Sequence, residues 1–284
     1  MITGMPRIAI AVHDFPAVVA TFRDKLGMPV IDISDSSVES LGASLAMCVP
    51  PGGSNIELMS PADPSAPLSQ SLSRFLERRG EGLFALMLEA PDPDAEAELL
   101  LERGLNVLPL MAGAGGRDIH PNSTHGVLIR VYPVNSFAGQ ADADSGSDSP
   151  GLSGISRAII AVRDLECAMD DYGRKLALDM GDMETDDGLG VGRARCTPPS
   201  GGLIELVSVS DESRPFAGEV SAFLDRKGEG MFALVLESED PAGSAERIKA
   251  AGVQIKTSAD SADVFETSLF GTCLRIEPAA TTPA

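Results

Sequence analysis

The chain has 284 residues, 43% of them hydrophobic, and 42 acidic against 22 basic side chains give it a formal charge of −20. This length suits two domains better than one, and the acidic balance excludes nucleic-acid and anionic-membrane binding, both of which need basic patches. No stretch approaches a membrane-spanning apolar run and the opening MITGMPRIAIAVHD lacks a signal-peptide layout, so a soluble, cytoplasmic protein is expected.

The run RIAIAV from Arg7 alternates as a short strand and leads into an amphipathic helix on which Phe15, Val18, Val19, Phe22 and Leu26 trace one face. PVIDIS, SLAMCV and NIELMS then read as three strands separated by turn chemistry such as PPGG. A helix over SQSLSRFLERR ends at Gly80, where glycine can take the left-handed cap. LFALMLEA opens a second strand–helix–strands unit whose helix is DPDAEAELLLERG. GAGG at Gly113–Gly116 has no helix after it, so it reads as a hairpin turn rather than a phosphate loop. GVLIRVYP from Gly126 closes the unit, and AGQADADSGSDSPGLSG, with almost nothing to bury, reads as a linker.

After the linker the text repeats. Residues 48–90 laid without gaps on 196–238 share 23 of 43 positions, which makes the chain a duplication. RIAIAVHDFPAVVATFRDKLGM mirrors RAIIAVRDLECAMDDYGRKLAL, and GVLIRVYP mirrors GTCLRIEP. Each half is β-α-β-β-β twice over, with domains expected at 1–137 and 154–284 around a linker at 138–153. The four cysteines, Cys48, Cys167, Cys196 and Cys273, show neither CxxC nor zinc spacing. Cys48 and Cys196 are repeat equivalents and read as small apolar packing residues.

RIAIAVHDFPAVVATFRDKLGM, NIELMSP, SRFLERRGEGLFALMLEA and HPNSTHGVLIRV together resemble the vicinal oxygen chelate superfamily (glyoxalases, bleomycin-resistance proteins and extradiol dioxygenases), and within it methylmalonyl-CoA epimerase. The resemblance implies an α+β fold of four βαβββ units forming two cup-shaped, eight-stranded curled sheets. It leaves open whether units pair within or across halves, and whether the chain is a monomer with an internal pseudo-dimer or a homodimer. It also implies a divalent metal in each cup, held by His, Glu or Gln, His and Glu. Those positions here are Arg7, Glu57, Ala85 and Arg130, then Arg157, Glu205, Ala233 and Arg275. Guanidiniums carry no lone pair for a metal, so neither cup is expected to hold one, and no cofactor is implied.

Strand alternation places Arg7 with Ala9 and Ala11, Glu57 with Asn55 and Met59, and Arg130 with Leu128 and Tyr132 on the cup face. Two arginines and a carboxylate thus converge in each half. They read either as an ion cluster plugging a dead metal site or as an anion pocket of about one net positive charge. In the second reading Arg7, Arg130, Arg157 and Arg275 bind a small carboxylate or acyl thioester and Glu57 or Glu205 serves as base, giving a metal-independent isomerase, epimerase or lyase. The alternatives are a non-catalytic binding or sequestering protein and a scaffold with side-chain-filled sites. Glu89 and Glu237, on the face of Ala85 and Ala233, read as solvated strand-end carboxylates. Glu81 and Glu229 of the repeated GEG, and His120 of HPNST, read as turn residues.

Overall fold

The computed structural model describes residues 1–111, 115–137, 150–257 and 261–279. In the first half the elements are β1 (Gly4–Ala11), α1 (Phe15–Ala20, continued by a π turn over Thr21–Lys25), β2 (Val30–Asp32), α2 (Ser34–Leu41), β3 (Ala43–Cys48), β4 (Asn55–Pro61), α3 (Pro67–Arg79), β5 (Gly82–Ala90), α4 (Pro93–Glu102), β6 (Arg117–Ile119) and β7 (Leu128–Pro133). The second half continues with β8 (Ile155–Ala161), α5 (Leu165–Asp170, with a π turn over Asp171–Lys175), β9 (Asp179–Met180), β10 (Glu184–Asp186), β11 (Val191–Thr197), β12 (Leu203–Val209), α6 (Pro215–Lys227), β13 (Gly230–Ser238), α7 (Pro241–Ala250), β14 (Ile255–Thr257), β15 (Ala262–Val264) and β16 (Leu274–Pro278).

Each half makes its own mixed sheet. The first has the order β2-β3-β4-β1-β5-β7-β6, and the second β10-β11-β12-β8-β13-β16-β15-β14 with β9 beside β11. Units therefore pair within halves: β1 and β5 lie antiparallel at the centre of the first sheet, as β8 and β13 do in the second. The sheets have seven and nine strands, not eight each. The extra strands lie at opposite edges, β14 beside β15 and β10 beside β11, and the second has a visible cause in the repeat. SDSSVESLG forms a helix closed by Gly42 at φ 71°, whereas ETDDGLGVG turns at Gly190 (φ 74°) and makes a hairpin. The helix escapes a reading of the sequence because its apolar stripe is nearly absent.

Alternation along the strands separates two environments. Ile8, Ile10, Phe22 and Leu100 join Ile160, Tyr172, Leu176 and Ile248 in one apolar core drawn from both halves. The opposite face of the first sheet carries Ala9, Ala11, Phe84 and Ala85 against Leu68, Leu72 and Leu76 of α3; the second sheet packs Ile159, Ala161 and Ala233 against Val220, Phe223 and Leu224 of α6. Small residues on the central strands let these helices approach the concave faces. Cys48 and Cys196 are buried free thiols in the shared core, and burial pushes the Cys196 thiol up to about 12.

The seam between halves explains the repeated GEG. Glu81 Oε1 accepts from the His13 N–H at 2.8 Å, and Glu229 Oε1 accepts from the Arg163 N–H at 2.7 Å, so each glutamate ties down the start of a helix. Arg79 crosses the seam, donating to the carbonyls of Gly126 (3.0 Å), Lys227 (2.6 Å) and Glu229 (2.8 Å). Arg79→Ala leaves those carbonyls short of a donor and should cost about 2–3 kcal/mol in chemical denaturation. A change below about half a kcal/mol would show that water replaces the guanidinium.

The linker expected at 138–153 falls mostly on 138–149, outside the described residues, as do Gly113 and Ala114 of the expected GAGG turn. Gly115 and Gly116 are described, with φ of 57° and 67°, and lead directly into β6.

Candidate functional site

In the first cup Arg7, Glu57 and Arg130 are each about 5% exposed, at the positions alternation assigns them. They do not form one trio. Arg7 Nε donates to Glu57 Oε2 at 3.1 Å. Arg130 pairs instead with Asp118, directly opposite it in the β6–β7 register, at 3.5 Å, and donates to the Gly115 carbonyl at 2.6 Å. Tyr132 lies between the cations, its ring centre 4.4 Å from the Arg7 guanidinium and 5.2 Å from that of Arg130. Burial pushes the Asp118 carboxyl above its ordinary range, against the pull of Arg130 and then Arg117. The expected net positive charge is thus cancelled by an aspartate that strand alternation alone does not bring to the cup. The remaining space, bounded by Met59, Met87 and Phe84, is a cavity of about 30 Å³, room for one water.

The second cup repeats the frame with different contents. Arg157 Nε lies 2.9 Å from Glu205 Oε2, and Arg157 Nη2 donates to Glu277 Oε1 at 2.8 Å. The other oxygen of Glu205 accepts from Arg195 Nε at 2.8 Å. Arg275 Nε lies 3.0 Å from Asp263, its register partner on β15, and its guanidinium stacks 4.6 Å from the Phe216 ring centre. Burial again pushes the Asp263 carboxyl up, opposed by Arg275. Arg193 reaches Asp186 at 3.0 Å and Glu184 at 3.3 Å. The cavity here is about 300 Å³, and three arginines (157, 193 and 275) and two glutamates (205 and 277) line it.

The tenfold difference in volume has a residue-level cause. Where the first cup has Leu45, Met59, Met87 and Tyr132, the second has Arg193, Val207, Val235 and Glu277. Valine for methionine leaves room in the middle of the cup, and the polar pair exchanges an apolar wall for a charged mouth. Arg193 and Arg195 were readable from RARC, where alternation puts both arginines on one face. Asp118 and Asp263 were readable as a repeated aspartate in RDIHP and ADVFE.

In each cup the four strand positions associated with a metal present two guanidiniums, one carboxylate already engaged by arginine, and a methyl group. That donor set does not fit a divalent ion. Of the remaining candidates, Glu89 accepts from the Asn135 N–H at 3.2 Å, and neither Glu89 nor Glu237 lines a cup cavity. His120 Nδ1 accepts from the Asn122 N–H at 3.1 Å within its own turn.

Two family models match the chain in tandem. One, described as the glyoxalase/bleomycin resistance protein/dioxygenase superfamily, covers residues 7–120. The other, a glyoxalase-like domain, covers residues 158–269. A mutant of 4-hydroxymandelate synthase from Streptomyces coelicolor superposes on 99% of this chain and 94% of its own at a TM-score of 0.72 with 13% identity. A fusion of a xylose isomerase-like TIM barrel with 4-hydroxyphenylpyruvate dioxygenase matches 100% of this chain and 50% of its own, with a TM-score of 0.64 and 14% identity. Methylmalonyl-CoA epimerase from Mycobacterium tuberculosis matches 46% of this chain and 91% of its own, with a TM-score of 0.41 and 24% identity. No curated protein matches the sequence. The chain is a tandem member of the vicinal oxygen chelate superfamily, with two glyoxalase-like domains. No helix among the described residues is long and apolar enough to cross a membrane.

Proposed function

We propose that this protein binds a small organic anion in its second cup without a metal, and that the first cup is a filled structural copy. The observation that carries the reading is the contrast between a 300 Å³ cavity lined by Arg157, Arg193 and Arg275 and a 30 Å³ remnant in the equivalent place. About 300 Å³ is the lower end of the range for small-molecule sites. Arg275, held at the cavity by Asp263 and the Phe216 ring, supplies a guanidinium of the kind that grips a carboxylate through two parallel bonds. Glu205 then acts as a positioning residue, clamped between Arg157 and Arg195. An isomerase or lyase would need Glu205 as its base, but both carboxylate oxygens already face guanidiniums, so binding is the better-supported role.

The test transplants three of the first cup's four distinguishing residues into the second. Val207→Met, Val235→Met and Glu277→Tyr together rebuild a packing that the fold already tolerates. Wild-type protein should be stabilised by some members of a panel of small mono- and dicarboxylates and acyl thioesters in thermal melts. The triple variant should keep its melting temperature and lose that response. Ligand stabilisation that persists in the filled variant would move the site out of this cup.

A further inference from the structure

A second cluster lies outside both cups, on the seam. His125 Nδ1 faces Glu229 Oε2 at 3.0 Å, and its Nε2 faces Asp171 Oδ2 at 3.2 Å, so carboxylates of the other half flank the ring on both sides. A neutral imidazole donates from only one nitrogen, so the second contact needs a proton or a cation between the two acceptors. The ligand atoms of His125, Cys167 and Asp171 all lie within 4.8 Å of one another. They open onto a groove of about 850 Å³ between the halves, whose lining also includes Arg74, Arg78 and His120.

The internal duplication supplies a control for this place. His125 corresponds to Phe270, Cys167 to Ala17 and Asp171 to Thr21 in the other copy. His125 and Phe270 share the same left-handed backbone, φ 53° and 49°, so the geometry is common while the chemistry is not. Glu229 and Glu81 both fasten a helix start through Oε1; only Glu229 turns its second oxygen to an imidazole. The fold therefore holds this position with phenylalanine, alanine and threonine. The nitrogen, sulfur and oxygen donors are additions confined to one of the two equivalent places.

We propose that His125 Nε2, Cys167 Sγ and Asp171 Oδ2 form a zinc-type divalent metal site, with Glu229 accepting the Nδ1–H of the ligating histidine. Thiolate, imidazole and carboxylate are the donors zinc takes, and three protein ligands leave a fourth tetrahedral position open to the groove. A carboxylate behind a ligating imidazole sets its tautomer and orientation, the role Glu229 fills here. Lys175 pairs with the other oxygen of Asp171 and holds that carboxylate in place. The site is independent of the cups: it bridges the halves, and none of its residues lines either cup cavity.

The full chain, stripped with chelator and titrated with Co²⁺ as probe, should develop a near-ultraviolet thiolate-to-cobalt charge-transfer band saturating at one equivalent and displaced by Zn²⁺. Cys167→Ser, at an exposed position, should abolish that band. His125→Phe copies the counterpart residue on a backbone that already accepts phenylalanine, and it should remove metal binding while the metal-free protein still unfolds cooperatively. Glu229→Gln should weaken Zn²⁺ binding by about ten- to a hundredfold. Failure of wild-type protein to bind either ion, or a charge-transfer band that survives Cys167→Ser, overturns the proposal.

Discussion

Arg130→Ala should destabilise the protein by about 3–5 kcal/mol, because it strands Asp118 as a buried charge with its opposite partner gone. Arg275→Ala, at the equivalent position of the other half, should behave differently. The Arg275–Asp263 pair is roughly twice as exposed as its counterpart, its side chains 14% and 15% accessible against 6% and 7%, and it borders a 300 Å³ cavity that water can enter. Solvent then replaces much of the lost interaction, and the cost should fall to about 1 kcal/mol. Its main effect should be on ligands: a charge-assisted contact contributes roughly 1.5–3 kcal/mol, so affinity for a responsive carboxylate should drop about ten- to a hundredfold. Denaturant midpoints of both variants, with and without the ligand, separate the two cups. Equal large losses of stability in both, with no ligand response in wild type, would make both clusters structural.

Gly126→Ala and Gly271→Ala should each remove at least about 3 kcal/mol. Gly126 has φ 77°, and a Cβ there would sit 1.9 Å from the Glu229 carbonyl oxygen; Gly271 has φ 70°, and its Cβ would sit 2.0 Å from the Glu81 carbonyl oxygen. Both obstacles are backbone atoms, so no side-chain rotation relieves them, and the left-handed conformation adds its own penalty. Gly126 of the first half abuts the GEG of the second, and Gly271 of the second abuts the GEG of the first. The damage should therefore appear as opening of the seam, with greater protease sensitivity around residues 79–82 and 227–230. Gly80→Ala is the reference: a Cβ there meets nothing within 4 Å, and only its φ of 74° opposes the change. If Gly126→Ala costs no more than Gly80→Ala, close approach across the seam is not what holds the halves together.

The site at the seam was the least legible part of the sequence. His125, Cys167, Asp171 and Glu229 come from three separate stretches of the sequence, with Cys167 and Asp171 four residues apart on one continuous helix. Glu229 reads as a turn residue and Cys167 lacks zinc spacing, while His125 and Asp171 carry no motif of their own. A spacing rule finds ligands brought together by one hairpin or one helix, and these arrive from three elements and both halves. The one available signal was comparative: the counterpart positions carry Phe270, Ala17 and Thr21.

The duplication, the strand–helix order apart from α2 and the β10–β11 hairpin, the cup-facing identity of Arg7, Glu57, Arg130 and their counterparts, and the unfitness of that donor set for a metal follow from the chain read by itself. They rest on periodicity, on repeat alignment and on the chemistry of single side chains, which are local and survive without coordinates. Tertiary structure decided that units pair within halves, that Asp118 and Asp263 take the second arginine away from the glutamate, and that only one cup is open. The physical reason is that charge pairing and filled volume depend on distance through space. Asp118 meets Arg130 through a register two strands must agree on, and Met59, Met87 and Tyr132 close a cavity only because three strands curl around the same point.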